Sequence, residues 1–385
     1  MADEMSLLPS RSPLWLWAKV LLCLMLLDVL LFRAGLLWQT SPVFGGIGFE
    51  IEKWSQLFAA AHEFEAGPGD APTAVIIGSS VVNVGVDVLT LNHALKGEGL
   101  GRVVQLASFG ASATETAIMV SNSLRMHPWL VIYGATTRDF PRVLATDTSI
   151  VRIFYDSSAE QPVLPGIGAE AVLDAHAKRI WKLYRYRFFA RRALLTALGA
   201  LSGRLPAWAH AADVEEPPPP VPPEAYEIFP AWVLSPQWWA GWERWRRSGK
   251  FSDYLSWNSA KDNMLSTYRT QTLANFGPDG NPNVKSLDSM LAGLQRAGVR
   301  TVLLFFPENP VFHDPEAKPY FDEGLSRAYA DLFATEAAAH GARFEDLRNF
   351  LEPFELYDMV HPNKLGEKKL TAHIAQIIAQ EWRAR

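Results

Sequence analysis

Short runs of consecutive apolar residues recur along this chain, each ending in a small or polar loop. That rhythm limits the fold more than any other feature. TAVII (73–77), RVVQLA (102–107), WLVIY (129–133) and RTVLLFF (300–306) are apolar at successive rather than alternate positions. A strand of this kind is buried on both faces, the habit of a parallel sheet covered by helices. Helical spacing between the runs predicts helices over 114–126, 284–297, 320–340 and 363–383, with Gly298 as a stop and a short fifth strand near Ala342–Glu345. The expected fold class is α/β, a three-layer parallel sheet.

The rhythm stops between 141 and 283. This stretch holds a basic amphipathic segment, HAKRIWKLYRYRFFARRALLTALGAL, then EEPPPPVPP (215–223), which reads as extended polyproline-like linker. Seven of the fourteen tryptophans follow or flank it: Trp208, Trp232, Trp238, Trp239, Trp242, Trp245 and Trp257. The expected division is an N-terminal anchor over 1–40, an α/β domain over 41–140 and 284–385, and a helical, Pro/Trp-rich insertion over 141–283.

Leu14 to Leu37 is the strongly apolar stretch at the N-terminus, long enough for the ~20 residues that cross a bilayer. Lys19 and Arg33 lie near its ends and can snorkel, whereas Asp28 needs a partner or a place near the interface. FRAGLLWQT lacks the small-residue exit of a cleaved signal peptide, and Leu22 before Cys23 does not suit lipidation. The segment is therefore expected to be an uncleaved single-pass membrane anchor. Arg11 and Lys19 at its start favour a cytoplasmic N-terminus, which would place the folded part outside the cytoplasm, in a periplasmic setting.

In open parallel sheets, ligands bind beyond the carboxyl ends of the strands. The loops there carry Gly78-Ser79-Ser80, SFGAS (108–112), GATTRDF (134–140) and PENP (307–310), and a fifth loop carries Asp358-Met359-Val360-His361. A serine hydroxyl attacks only when a base takes its proton, and histidine is the usual base. Ser80, His361 and Asp358 would supply nucleophile, base and orienting carboxylate if these loops converge. Amides of Ser80 and Gly110, with a donor from 134–140, would then face the oxyanion. The alternatives are structural: Ser79 and Ser80 as helix caps, and Asp358 and His361 as a turn before the last helix.

The order of these pieces resembles that of the SGNH (GDSL-like) hydrolase superfamily, a flavodoxin-like fold. IIGSSVV (76–82) is similar to its nucleophile block, with Ser79 where Asp is usual and Ser80 as the serine. ASFGASA (107–113) is similar to the block whose glycine, here Gly110, donates to the oxyanion. YDMVHPNKLGEKKLTAHI (357–374) is similar to the closing Asp-x-x-His block. The third block departs: with Asp139 aligned, Arg138 stands in place of the oxyanion asparagine. A guanidinium there could bind an oxyanion, a carboxylate or a phosphate, or pair with Asp139. With a single anchor, the chain resembles the membrane-bound branch that includes the D-alanyl transfer protein of teichoic acids and the alginate O-acetylation proteins. The resemblance implies acyl-serine chemistry, as esterase or acyltransferase, on a cell-envelope polysaccharide. It also implies a membrane-bound O-acyltransferase as partner. The altered third block and the Trp-rich insertion favour a second reading, a non-catalytic accessory protein that binds polysaccharide or such an acyltransferase.

Other classes fall away. A net charge of −5 gives no general attraction to nucleic acid. One cysteine excludes an internal disulfide, the histidines share no metal-ligand spacing, and no Walker or dinucleotide fingerprint occurs, so neither metal nor cofactor is expected. Glu308 past a strand end could line the cleft or cap a turn. The tryptophans could stack on sugars or form core. The basic residues between Lys178 and Arg192 could meet lipid headgroups or water.

Overall fold

The structure is a computed structural model that describes residues 13–39, 49–96, 99–144, 148–158, 161–162, 164, 169–202, 221–229, 234–258, 272–317 and 321–385. The chain forms two compact units, one of 1–45 with 167–212 and one of 46–166 with 213–385.

The larger unit is built on five parallel strands: β1 (Thr73–Gly78), β2 (Arg102–Ala107), β3 (Leu130–Ala135), β4 (Arg300–Phe305) and β5 (Arg343–Asp346), in the order β2-β1-β3-β4-β5. This is the doubly wound order in which the chain leaves β1 in opposite directions, so helices must cover both faces. Successive side chains divide between those faces. Ala74, Ile76, Leu130, Ile132, Val302 and Leu304 pack with Val81, Leu91, Leu95, Leu370 and Ile374, from helices Ser80–Gly85, Val88–Lys96 and Lys364–Arg383. The opposite set, including Val75, Ile77, Tyr133 and Phe305, is equally buried, beneath helices Ala113–Ser123, Pro282–Arg296 and Glu323–Ala339. The class is three-layer α/β with a parallel sheet, as the apolar runs require.

The Trp-rich stretch extends this core. Ser235 caps helix Pro236–Ser248, its hydroxyl accepting from the Trp238 amide, and Gly249 closes it in a left-handed conformation. Trp238, Trp242 and Trp245 recur at i, i+4 and i+7, so they share one face and are buried together with Trp239. Phe229 meets Trp238 and Trp242 edge-on at 4.6 and 5.1 Å. Phe251 and Tyr254 meet Phe312 beyond β4 at 5.6 and 5.3 Å. Indoles packed this way have no open face for a sugar ring. Trp208, Trp232 and most of the proline run (215–220) lie outside the described residues, as does the side chain of Trp257.

The smaller unit pairs the N-terminal helix Pro13–Asp28, continued by a π-helical turn Val29–Arg33, with helices Ala169–Ile180, Lys182–Arg185 and Arg187–Ser202. Among the described residues, Trp15–Phe32 forms one helix long and apolar enough to cross a membrane. Phe32, Trp38 and Tyr186 form a mutual aromatic contact with ring separations of 5.6–5.9 Å.

Candidate active site

Two glycines shape the end of the sheet. A Cβ on Gly78 would stand 2.4 Å from the Gly134 carbonyl oxygen and from Val82, and one on Gly134 would stand 2.4 Å from Phe306. Only bare backbone lets β1 and β3 end this close beneath the helix that starts at Ser80. Ser79 holds the N-cap position with extended backbone but makes no side-chain capping bond there, and Ser80 opens the helix Ser80–Gly85. The capping alternative for these serines is therefore not the observed one.

The Asp358–His361 loop is held as a small closed turn. The Tyr357 amide donates to the His361 carbonyl at 3.0 Å, Leu356 bridges Pro362, and the Tyr357 ring stacks on the imidazole at 5.5 Å. Asn363, not Asp358, caps the final helix, accepting from the Leu365 and Gly366 amides. Asp358 is thereby left to its own loop. One oxygen accepts the Val360 and His361 amides at 2.9 and 2.8 Å, and the other meets His361 Nδ1 at 2.6 Å.

His361 Nε2 lies 2.8 Å from Ser80 Oγ, across 281 residues of chain. The structure thus brings Ser80, His361 and Asp358 into one hydrogen-bonded line. Burial would raise the Asp358 carboxyl, but its interaction with His361, the Arg138 charge and the Val360 amide outweigh it and hold the pKa below the ordinary value. An ionised Asp358 can only accept, so Nδ1 must carry the hydrogen, and a neutral imidazole then presents a bare Nε2 to the serine hydroxyl. Ser80 is only partly buried, so its hydroxyl stays within reach of a solute.

Gly110 sits in the exposed turn after β2 with φ +67°, a conformation that favours glycine, and a Cβ there would meet open space. Its turn is closed by the Ala111 amide on the Ser108 carbonyl. Arg138 lies in the short 3-10 turn Thr137–Asp139, close enough to lower the pKa of both Asp358 and Asp139. Asp139 is buried and accepts the Thr136 amide at 2.9 Å, and Ser79, beside the candidate nucleophile, lies close enough to lower its pKa. Burial pushes its pKa up to about 7 despite these neighbours.

Asn309 is the residue that motif reasoning passes over. Fully buried after β4, it donates from its amide to the Met359 carbonyl at 2.7 Å and from its side chain to the Asp358 carbonyl at 3.1 Å. It pins the loop that carries both Asp358 and His361. The signal in the sequence is slight, an asparagine before Pro310 at a strand end. Its neighbour Glu308 is buried and accepts the Ser326 hydroxyl at 2.5 Å, with burial raising its pKa to about 7.

For metals, Asp288, Glu336 and His340 have ligand atoms within 4.8 Å of one another. His340 Nε2 meets Asp288 Oδ1 at 2.8 Å, within hydrogen-bond distance. Those residues are remote in sequence from the three converging loops.

No family profile matches the chain, and no curated protein matches it. Among solved structures it is similar to a crystal structure described as a "putative acylhydrolase" from Bacteroides fragilis. The two share 13% identity over 84% of this chain and 94% of that one, at a TM-score of 0.37.

Proposed function

We propose that the protein is a membrane-anchored serine acyl-hydrolase or acyltransferase that works through an acyl-serine intermediate. The observation that carries this is the 2.8 Å approach of Ser80 Oγ to His361 Nε2, with Asp358 on the opposite ring nitrogen. Ser80 Oγ attacks an acyl carbonyl carbon while His361 takes its proton. The Ser80 and Gly110 amides, with Arg138, are the donors placed by sequence order to meet the oxyanion. As the intermediate collapses, the carbonyl–leaving-group bond breaks and His361 returns the proton to the departing oxygen. Water or a polymer hydroxyl then repeats the attack, giving up its proton to His361, and frees Ser80.

The resemblance to the envelope-modifying branch supports a cell-surface polysaccharide as acceptor or donor, a membrane O-acyltransferase as partner, and an extracytoplasmic site. The span-length helix Trp15–Phe32 supports the anchor. The test is labelling of the full chain with a fluorophosphonate, followed by Ser80→Ala. Labelling lost in the variant supports the proposal. A wild-type chain that does not react, while it hydrolyses no ester, would leave the accessory-protein reading.

A further inference from the structure

The N-terminal span carries an acid, and the same compact unit supplies its partner. The Leu183 amide donates to Asp28 at 2.6 Å, and Phe32 packs on Tyr186 at 5.6 Å. At about 1.5 Å per residue, Asp28 lies only about 6 Å along the helix from the Phe32 end of the apolar window. If Trp15–Phe32 crosses a bilayer, Leu183 and Tyr186 are therefore held at one edge of its hydrocarbon layer. Helix Arg187–Ser202 begins at that level.

This helix has an unusual surface. Leu194, Leu198 and Leu201 are exposed at i, i+4 and i+7, by 58%, 52% and 85%, and Ala197 lies exposed between them. Arg191, exposed three residues before Leu194, stands at the head of the same stripe. Residues 169–202 hold seven Lys/Arg against Glu170 and Asp174, in a chain whose net charge is −5. An apolar stripe with a basic border is the pattern of a helix lying in a headgroup layer.

We propose that helix Arg187–Ser202 is a second membrane contact, lying in the interface of the leaflet reached by the C-terminal end of the span. Leu194, Leu198 and Leu201 enter the acyl region and Arg191 meets lipid phosphate. The proposal rests on the anchor reading but not on the acyl chemistry. It gives the chain two points on one bilayer, so the helix and not the span alone sets the orientation of this unit.

The test uses the full chain with Cys23→Ser and single cysteines introduced as Leu198→Cys, Leu201→Cys, Leu21→Cys within the span, and Leu89→Cys, an 80% exposed site in the other unit. Each is spin-labelled and reconstituted alone into phosphatidylcholine–phosphatidylglycerol vesicles. Collision with oxygen is compared with collision with a water-soluble nickel chelate. Labels at 198 and 201 are expected to favour oxygen, as at 21, while 89 favours nickel. Labels at 198 and 201 that behave like 89 overturn the proposal, as do labels shielded from both reagents, which would mean burial against a protein. A nickel-accessible label at 21 removes the anchor itself. Fluorophosphonate labelling of the same samples reports on Ser80 separately, so failure of one reading is not failure of the other.

Discussion

At the scale of single residues, the site is a division of labour enforced by hydrogen-bond roles. Asp358 is committed as an acceptor by two amides and one ring nitrogen, and that commitment sets the imidazole to receive the Ser80 proton. Ser80→Ala is expected to abolish fluorophosphonate labelling and to reduce ester hydrolysis by about 10⁴-fold or more. Asp358→Asn keeps the shape but offers a donor to Nδ1, turning the ring to the wrong tautomer, and should lower kcat by about 10⁴-fold in steady-state assays. Asn309→Ala tests positioning. It keeps the backbone bond to Met359 but leaves the Asp358 carbonyl poorly satisfied, and a lost buried partner costs about 1–3 kcal/mol. The expected result is a fall in kcat with KM nearly unchanged and with Ser80 still slowly labelled. A loss of folding alone would not show that split. Ser80, Asp358 and His361 were legible because nucleophile, base and carboxylate chemistry is written in residue type. Asn309 was not, because it serves backbone carbonyls, a task that many side chains could do and that no spacing announces.

At the scale of elements, the sheet was legible because four of its five strands are mostly apolar runs that end in glycine or a polar loop, whereas the fifth, RFED, carries no such run. The expected fifth strand at Ala342–Glu345 is observed at Arg343–Asp346, and the helix expected from 284 begins at Pro282, drawn back by the Asn281 cap. The Trp-rich stretch was not legible, because its order comes from contacts such as Phe251 and Tyr254 on Phe312, some sixty residues away in the chain. Two substitutions probe these elements. Trp242→Ala removes a fully buried indole from the cluster with Phe229 and Trp239, and large aromatic deletions cost about 3–5 kcal/mol. A clear drop in melting temperature is expected, measured by calorimetry or by circular dichroism. Gly78→Ala forces a methyl group against the Gly134 carbonyl and Val82, an overpacking worth about 1–3 kcal/mol. Because the strain arises one residue from the Ser79–Ser80 turn, its activity loss should exceed that of Trp242→Ala at equal destabilisation.

At the scale of the whole molecule, the balance of buried acids sets how stability responds to pH. Asp139 and Glu308 lie buried in the loops after β3 and β4, and burial raises both to about 7 from ordinary values of 3.8 and 4.5. In the window between about 4 and 7 the folded chain therefore holds protons that the unfolded chain has released. Folding stability falls as pH rises through that window, because the unfolded state binds fewer protons there. Asp358 acts in the opposite sense, since its pKa lies below the ordinary value: its contribution is present at neutral pH and is lost only in stronger acid. Taken together, these three groups favour the folded chain most on the acid side of neutrality, near the foot of the Asp139 and Glu308 window. Denaturant midpoints for the detergent-solubilised chain are expected to fall between pH 4.5 and 7.5. Asp139→Asn or Glu308→Gln, neutral at every pH, should each flatten that slope. Asp139→Asn should do so with a change in Ser80 labelling, since the carboxyl it replaces lies beside Ser79, whereas Glu308→Gln should leave labelling as it was. A slope that rises toward neutral pH would mean that these acids are ionised in the folded chain, with partners stronger than the Thr136 amide and the Ser326 hydroxyl that now meet them.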